Sequence, residues 1–142
     1  MSLGMDVKPV RTVLDTNILI SAIGFGGKPR EVLILCLENK VKAITSRILI
    51  AELQEVISKK FPELNHKLNQ IQKRIDKKFE KVQPRNIVNI LKDEDDNRVL
   101  EAALEGKCEY IITGDKELLD LGGYQGTKIV TTNQFLKSVL KG

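Results

Sequence analysis

Four acidic residues lie at or near the ends of predicted strands and helices in this chain: Asp15, Glu52, Asp96 and Asp115. Carboxylates that share a site oppose one another's ionisation, so a cluster of four needs a cation. Because the cluster offers oxygen donors without histidine or cysteine, it favours a hard ion, Mg²⁺ or Mn²⁺. One or two such ions can orient a water molecule, lower its pKa and neutralise a phosphodiester during in-line attack. These residues therefore indicate metal-dependent phosphodiester chemistry.

Asp15 and Asp115 each follow a predicted strand. Residues 10–14 form a short β-branched and aliphatic run typical of a buried strand, and a helix is predicted after it. Residues 109–113 repeat this plan before Asp115. In open α/β sheets, ligands bind at the edge formed by the carboxyl ends of the strands. Asn17 and Thr113, close to the two acids, are suited to hydrogen bonds that hold the acids or the attacking water.

Glu52 lies on a helix predicted over residues 46–59. It shares a row with Ile48 and Val56, at a spacing of four residues, and this row borders the apolar row of the helix. Glu52 comes about six residues after the helix start, or ~9 Å along the axis. Two interpretations stay open: a carboxylate turned toward the other acids, or one at the rim of the apolar stripe that pairs with a lysine or arginine.

Asp96 closes the run of four acids at residues 93–96, before an apolar helical pattern. Acids in a first turn are favoured by the helix dipole and the free N–H groups, but four exceed what capping needs. Capping or surface pairing is the expected role of Glu94, Asp95 and Asp120.

The alternation of strands with helices of about 10–15 residues predicts βαβ units and an α/β fold with a parallel sheet. All strands then end at one edge, where the following helices begin, so the four acids are expected to meet there. We expect a loop over residues 24–30 from its glycines and proline, and at most an edge strand around residues 82–90.

Composition predicts one globular domain, residues 5–142, with residues 1–4 outside the fold. Hydrophobic residues make up 42% and charged residues 30%, an ordinary balance. The sequence has no apolar run long enough for a membrane span, and it has no signal-peptide pattern. We therefore expect a cytoplasmic protein without membrane contact. Cys36 and Cys108 are expected to be buried and unpaired, since neither has metal-ligand spacing to another cysteine or a histidine.

Positive charge is concentrated in residues 59–85, which hold nine lysines and arginines but three acids. The rest of the chain is net negative, although the total charge is +4. A local basic face suits a polyanion such as RNA, whereas a solvated face is the ordinary alternative. The candidate RNA-binding residues are Lys59, Lys60, Lys73, Arg74, Lys77 and Lys78.

Four motifs follow one another along the chain: Leu14-Asp15-Thr16-Asn17, Ile50-Ala51-Glu52-Leu53, Asp93-x-x-Asp96-Asn97 with Ala102-Ala103, and Thr113-Gly114-Asp115 with Leu118-Leu119. Taken in this order, they resemble the PIN domain family over about residues 10–140. The chain is most similar to the branch that comprises toxin components of toxin–antitoxin pairs.

The resemblance implies a three-layer α/β/α sandwich with a mainly parallel sheet of about five strands. It also implies cleavage of single-stranded RNA with Mg²⁺ or Mn²⁺. The four acidic positions of the family are matched by Asp15, Glu52, Asp96 and Asp115. Its supporting polar positions are matched by Asn17 and Thr113, and the first acid of its Asp-x-x-Asp pattern by Asp93. An antitoxin partner and a homodimer follow as further expectations.

Two other functions remain open. One is a catalytically inactive RNA-binding or adaptor domain that uses the basic residues 59–85; its RNA binding would survive the loss of Asp15. The other is a phosphoaspartate receiver-like domain, but it leaves Glu52 unexplained and lacks a clear lysine at the end of the final strand.

Overall fold

A computed structural model of the chain describes residues 8–141; the expectation for residues 1–4 concerns positions outside the described residues. Within this range the chain forms six strands and seven α-helices. The strands are β1 (Val10–Leu14), β2 (Val41–Ser46), β3 (Glu80–Val82), β4 (Tyr110–Ile112), β5 (Gly123–Tyr124) and β6 (Thr127–Val130). The helices are α1 (Thr16–Gly24), α2 (Gly27–Leu37), α3 (Arg47–Lys60), α4 (Asn65–Lys78), α5 (Glu94–Glu105), α6 (Lys116–Leu121) and α7 (Thr132–Lys141).

The sheet has the strand order β3-β2-β1-β4-β6-β5, with β1 near its centre. All neighbouring strands are parallel except β5 and β6. Val13 of β1 lies in register with Ile44 of β2 and Ile111 of β4. The chain therefore leaves β1 in the middle of the carboxyl edge, and Asp15 is the next residue.

Helices cover both faces of the sheet. Leu14 and Ile112 belong to a core shared with α1 to α4 and α7. Their neighbours Val13 and Ile111 face a second core, built mainly with α5 and α6, because successive strand residues point to opposite faces. This arrangement confirms the three-layer α/β/α prediction. The sheet has six strands rather than about five, since the two-residue β5 adds an antiparallel edge.

The loop predicted over residues 24–30 is wrong for most of its length. Helix α2 already begins at Gly27, so the connection to α1 is reduced to Phe25 and Gly26. Gly26 has a φ of 83°, which glycine adopts without strain. Arg30 donates hydrogen bonds to the carbonyls of Ala22 and Ile23, and it thus satisfies oxygens that the end of α1 leaves free.

An edge strand forms at Glu80–Val82, whereas residues 87–90 are irregular. Arg11 of β1 holds this short strand through two hydrogen bonds to the Glu80 carboxylate, at 3.1 and 2.8 Å. Val88 is buried against α5 rather than paired in the sheet. The apolar run around Val88 is therefore a packing signal and not a strand signal.

Two expectations from composition can be compared with the structure. Cys36 and Cys108 are both buried and free, and burial raises the pKa of each thiol to about 12. Over the described range, every helix is too short or too polar to cross a membrane.

Candidate active site

Asp15 is a buried carboxylate held between β1 and β4. Its backbone N–H donates to the carbonyl of Ile112 at 2.9 Å, which continues the pairing of the two strands. Its Oδ2 accepts a 2.6 Å hydrogen bond from the Thr113 hydroxyl. Burial raises the pKa of Asp15, although the Thr113 hydrogen bond partly opposes this effect. The side chain is thus fixed in orientation and has little contact with solvent.

The hydroxyl group of Thr113 also links Asp115 to Asp15. Its backbone N–H donates to the Thr113 hydroxyl oxygen at 2.9 Å. Its own Oδ2 accepts from the N–H of Leu118 at 3.0 Å and caps α6. The turn after β4 therefore places both acids around Thr113.

Asp96 lies in the first turn of α5 and is buried. Among the described residues its Oδ2 finds no hydrogen-bond partner. The pKa of Asp96 is raised to about 8, mainly by burial and in part by the negative charges of Asp115, Asp93 and Asp15. Asp93 itself is exposed and caps α5 by accepting from the N–H of Asp95. The two acids of the Asp-x-x-Asp pattern thus differ: the first caps the helix, and the second faces the other acids.

Glu52 is half-buried on α3, and Ser46 caps this helix by accepting from the N–H of Leu49. Its Oε1 accepts a 2.9 Å hydrogen bond from the Thr16 hydroxyl at the start of α1. Burial raises the pKa of Glu52 to about 7, with smaller contributions from the negative charges of Asp95 and Asp15. Of the two interpretations left open, the structure favours the carboxylate turned toward the acids.

The comparisons with known proteins agree with this geometry. The model of the PIN domain family matches residues 11–117. The chain belongs to the PIN domain family. An uncharacterized protein of Methanocaldococcus jannaschii is 36% identical over 123 residues, which are 82% of this chain and 78% of that protein.

Two solved structures share the PIN fold. PAE2754 from Pyrobaculum aerophilum matches with a TM-score of 0.58 and 12% identity, over 99% of this chain and 96% of its own. VapBC2 from Rickettsia felis, solved with a DNA fragment from its promoter, matches with a TM-score of 0.54 and 17% identity, over 84% and 97%. At this identity, the likeness concerns the fold.

The donor set of this PIN domain fits a divalent cation. It contains carboxylate oxygens, one of them buried without a partner, and the negative charges of Asp115 and Asp15 help to raise the pKa of Asp96. A cation would satisfy that oxygen and remove the repulsion. In residues 8–141, however, no three histidine, cysteine or acidic side chains already surround a common ion position. The type of the donor atoms and the unpartnered oxygen of Asp96 are thus the two features that indicate an ion here.

Two residues around the acids were missed in the sequence. Thr16, and not Asn17, is buried and donates to Glu52. Asn17 is exposed, and within residues 8–141 it forms no hydrogen bond to the four acids. Asp95, expected only to cap a helix or to form a surface ion pair, lies close enough to Glu52 to raise the pKa of Glu52. Helical spacing was the signal that could have distinguished Thr16 from Asn17, since Thr16 precedes the apolar Ile20 by four residues, whereas Asn17 precedes the polar Ser21.

Helix α5 also holds the irregular segment that leads to the acids. Asn97 is fully buried; its Oδ1 accepts from the N–H groups of Ile90 and Leu91. Glu101, also buried, accepts from the N–H of Val88 at 2.9 Å and pairs with Arg98 at 3.1 Å. These side chains fix the approach to Asp93, and they lay outside the predicted site because their role depends on tertiary contacts.

Three of the six predicted RNA-binding residues lie away from the acids. Lys59 and Lys60 lie in the last turn of α3, about 10–12 Å along the axis from Glu52. Lys78 lies at the end of α4, where its carbonyl accepts from Lys42 near the start of β2. The end of α4 is therefore at the amino edge of the sheet, opposite to the acids.

Proposed function

We propose that this PIN domain is a metal-dependent endoribonuclease that cleaves single-stranded RNA by attack of water on the phosphodiester. The observation that carries the proposal is the buried, unpartnered Oδ2 of Asp96, whose carboxylate is close enough to Asp15 and Asp115 for their negative charges to raise its pKa. A carboxylate in such a place costs free energy unless a cation compensates it. A group of acids at the carboxyl edge of a sheet is thus better explained by ion binding than by stability.

Asp15, Glu52, Asp96 and Asp115 would hold Mg²⁺ or Mn²⁺. When bound, the ion supplies an activated water molecule and neutralises charge on the phosphodiester. Thr113 orients Asp15 and the turn that carries Asp115, and Thr16 orients Glu52. Such outer hydrogen bonds fix ligating carboxylates before the ion arrives. Asn17, exposed at the start of α1, remains a candidate contact to substrate or water.

We also propose that the protein is the toxin of a toxin–antitoxin pair in the cytoplasm. Its protein partner would be an antitoxin, and it would form a homodimer. Family membership supports this proposal, and the fold is shared with VapBC2.

A second candidate is an inactive RNA-binding adaptor. The lysines at the ends of α3 and α4 lie away from the acids, and this separation favours the adaptor. That separation would allow RNA binding without cleavage. The two candidates differ in what the loss of one carboxylate does.

The test is cleavage of an unstructured RNA by the purified protein with Mn²⁺, with Mg²⁺ and with EDTA. Wild type is compared with Asp15→Asn and Asp115→Asn, and with Asp120→Asn, an exposed acid that pairs with Lys116. The ribonuclease proposal expects metal-dependent cutting that only the first two substitutions abolish. RNA that stays intact with every ion, while the folded protein still binds it, would favour the adaptor.

A further inference from the structure

A cleft opens at the carboxyl edge of the sheet, beside the first turn of α3. It has a volume of about 410 Å³ and is lined by Arg47 and Ile48 on one side and by Lys81 and Pro84 on the other. Ser46 and Val82, which end the neighbouring strands β2 and β3, also line it. The cleft therefore lies at the same edge as Asp15 and Asp115.

The charged residues that line this cleft are both cationic. Arg47 is exposed at the first position of α3, where the helix dipole adds positive potential. Lys81 has a half-exposed side chain, and its Nζ lies 3.5 Å from Asp76 Oδ1. Exposed pairs of this kind contribute little to stability, so a phosphate group can replace Asp76 as the partner of Lys81. Arg47 offers a guanidinium fork that matches phosphate oxygens.

Ile48 connects the cleft to the acids. This residue is 51% exposed and lines the cleft, so it offers an apolar surface to a bound molecule. It lies one turn before Glu52, about 6 Å along the axis of α3. An RNA strand that runs along α3 from Glu52 toward the start of the helix would reach Ile48 and then Arg47 and Lys81.

Resting on the ribonuclease function proposed above, we infer that this cleft is a phosphate-binding subsite for the RNA strand beside the scissile bond. Arg47 and Lys81 contact the phosphate, and Ile48 with Pro84 supports the adjoining nucleotide. Phosphate contacts set the position of a strand without reading its bases. The subsite thus positions RNA at the acids and leaves sequence preference to other contacts.

The experiment measures binding of a fluorescein-labelled, unstructured RNA of about 12 nucleotides by anisotropy. Asp15→Asn serves as the parent, since it is expected not to cut. The test variant adds Arg47→Gln and Lys81→Gln; the matched control adds Lys40→Gln and Lys107→Gln, which remove the same charge at exposed positions before β2 and β4. The test variant should bind about tenfold more weakly, and its slope of log affinity against log salt should be shallower by about 1.4, since each single-strand phosphate contact contributes about 0.7. The control should keep the parent slope.

A second pair of variants removes the dependence on overall charge. Ile48→Glu should weaken binding, whereas Ile34→Glu, at a similarly exposed isoleucine on α2, should not. If the test and control variants lose the same affinity while wild type cuts RNA, the subsite is wrong and the ribonuclease proposal stands. If wild type neither binds nor cuts RNA, both proposals fail.

Discussion

Thr113 and Asp15 lie 98 residues apart in the chain, yet the Thr113 hydroxyl donates to Asp15 Oδ2 at 2.6 Å. The register of β1 and β4 pairs Leu14 with Ile112, so the next residue of each strand meets at the carboxyl edge. Because the Thr113 oxygen also accepts from the N–H of Asp115, one buried hydroxyl group fixes the relative position of two acids.

Replacement of Thr113 by valine should lower Mn²⁺ affinity or the cleavage rate by about 10–100-fold. Valine keeps the volume of threonine but cannot donate to Asp15. Thr113→Ser is the control, since it retains the hydroxyl, and it should stay close to wild type. Manganese titration and single-turnover cleavage measure the two effects. Equal losses in the valine and serine variants would mean that packing, and not the hydrogen bond, is responsible.

Without divalent cations, the buried acids should make stability depend on pH. The pKa of Asp96 is raised to about 8 in the folded chain, from an ordinary value of 3.8. The folded state therefore holds a proton that the unfolded state loses, and stability should rise as the pH falls from about 8 toward 4. Asp96→Asn should remove much of this rise and increase the melting temperature at pH 8 in EDTA.

The measurement is the difference in melting temperature between wild type and Asp96→Asn from pH 5 to 8.5 in EDTA. The exposed acid Asp120, replaced by asparagine, is the control for general effects of charge. If the difference in melting temperature stays constant with pH, folding does not raise the pKa of Asp96, and the prediction is wrong.

Loss of the Glu101 carboxylate should destabilise the fold by about 1–3 kcal/mol, the usual cost of buried polar groups left without partners. Glu101→Ala leaves the N–H of Val88 unpaired and removes the acid that faces Arg98. Glu105→Ala is the matched substitution one turn later; because Glu105 pairs with the exposed Arg85, its loss should destabilise the fold less than the loss of Glu101. Urea unfolding compares the two variants, and equal losses would contradict the role of Glu101 in holding residues 88–91.

The strands that carry Asp15 and Asp115 could be predicted because short apolar runs stop abruptly at an acid. Their meeting at one edge followed from the alternation of strands and helices. Glu52 could be placed on a row but not oriented, since orientation depends on Thr16 in another helix. The residues that hold the segment before Asp93 could not be predicted, because Asn97 and Glu101 act through contacts that leave no local pattern. The start of α2 was missed because Gly26 makes a turn shorter than its neighbouring glycines and proline suggested.

The most direct measurement is calorimetric titration of Mn²⁺ into wild type and Asp96→Asn at pH 7, in buffers of different ionisation enthalpy. Carboxylates must lose their protons to bind a metal, and the pKa of Asp96 is about 8. Binding to wild type should therefore release protons, and Asp96→Asn should bind weakly and release fewer. Manganese binding that is absent, or that is unchanged in affinity and proton release by the substitution, would contradict a cation site at these acids.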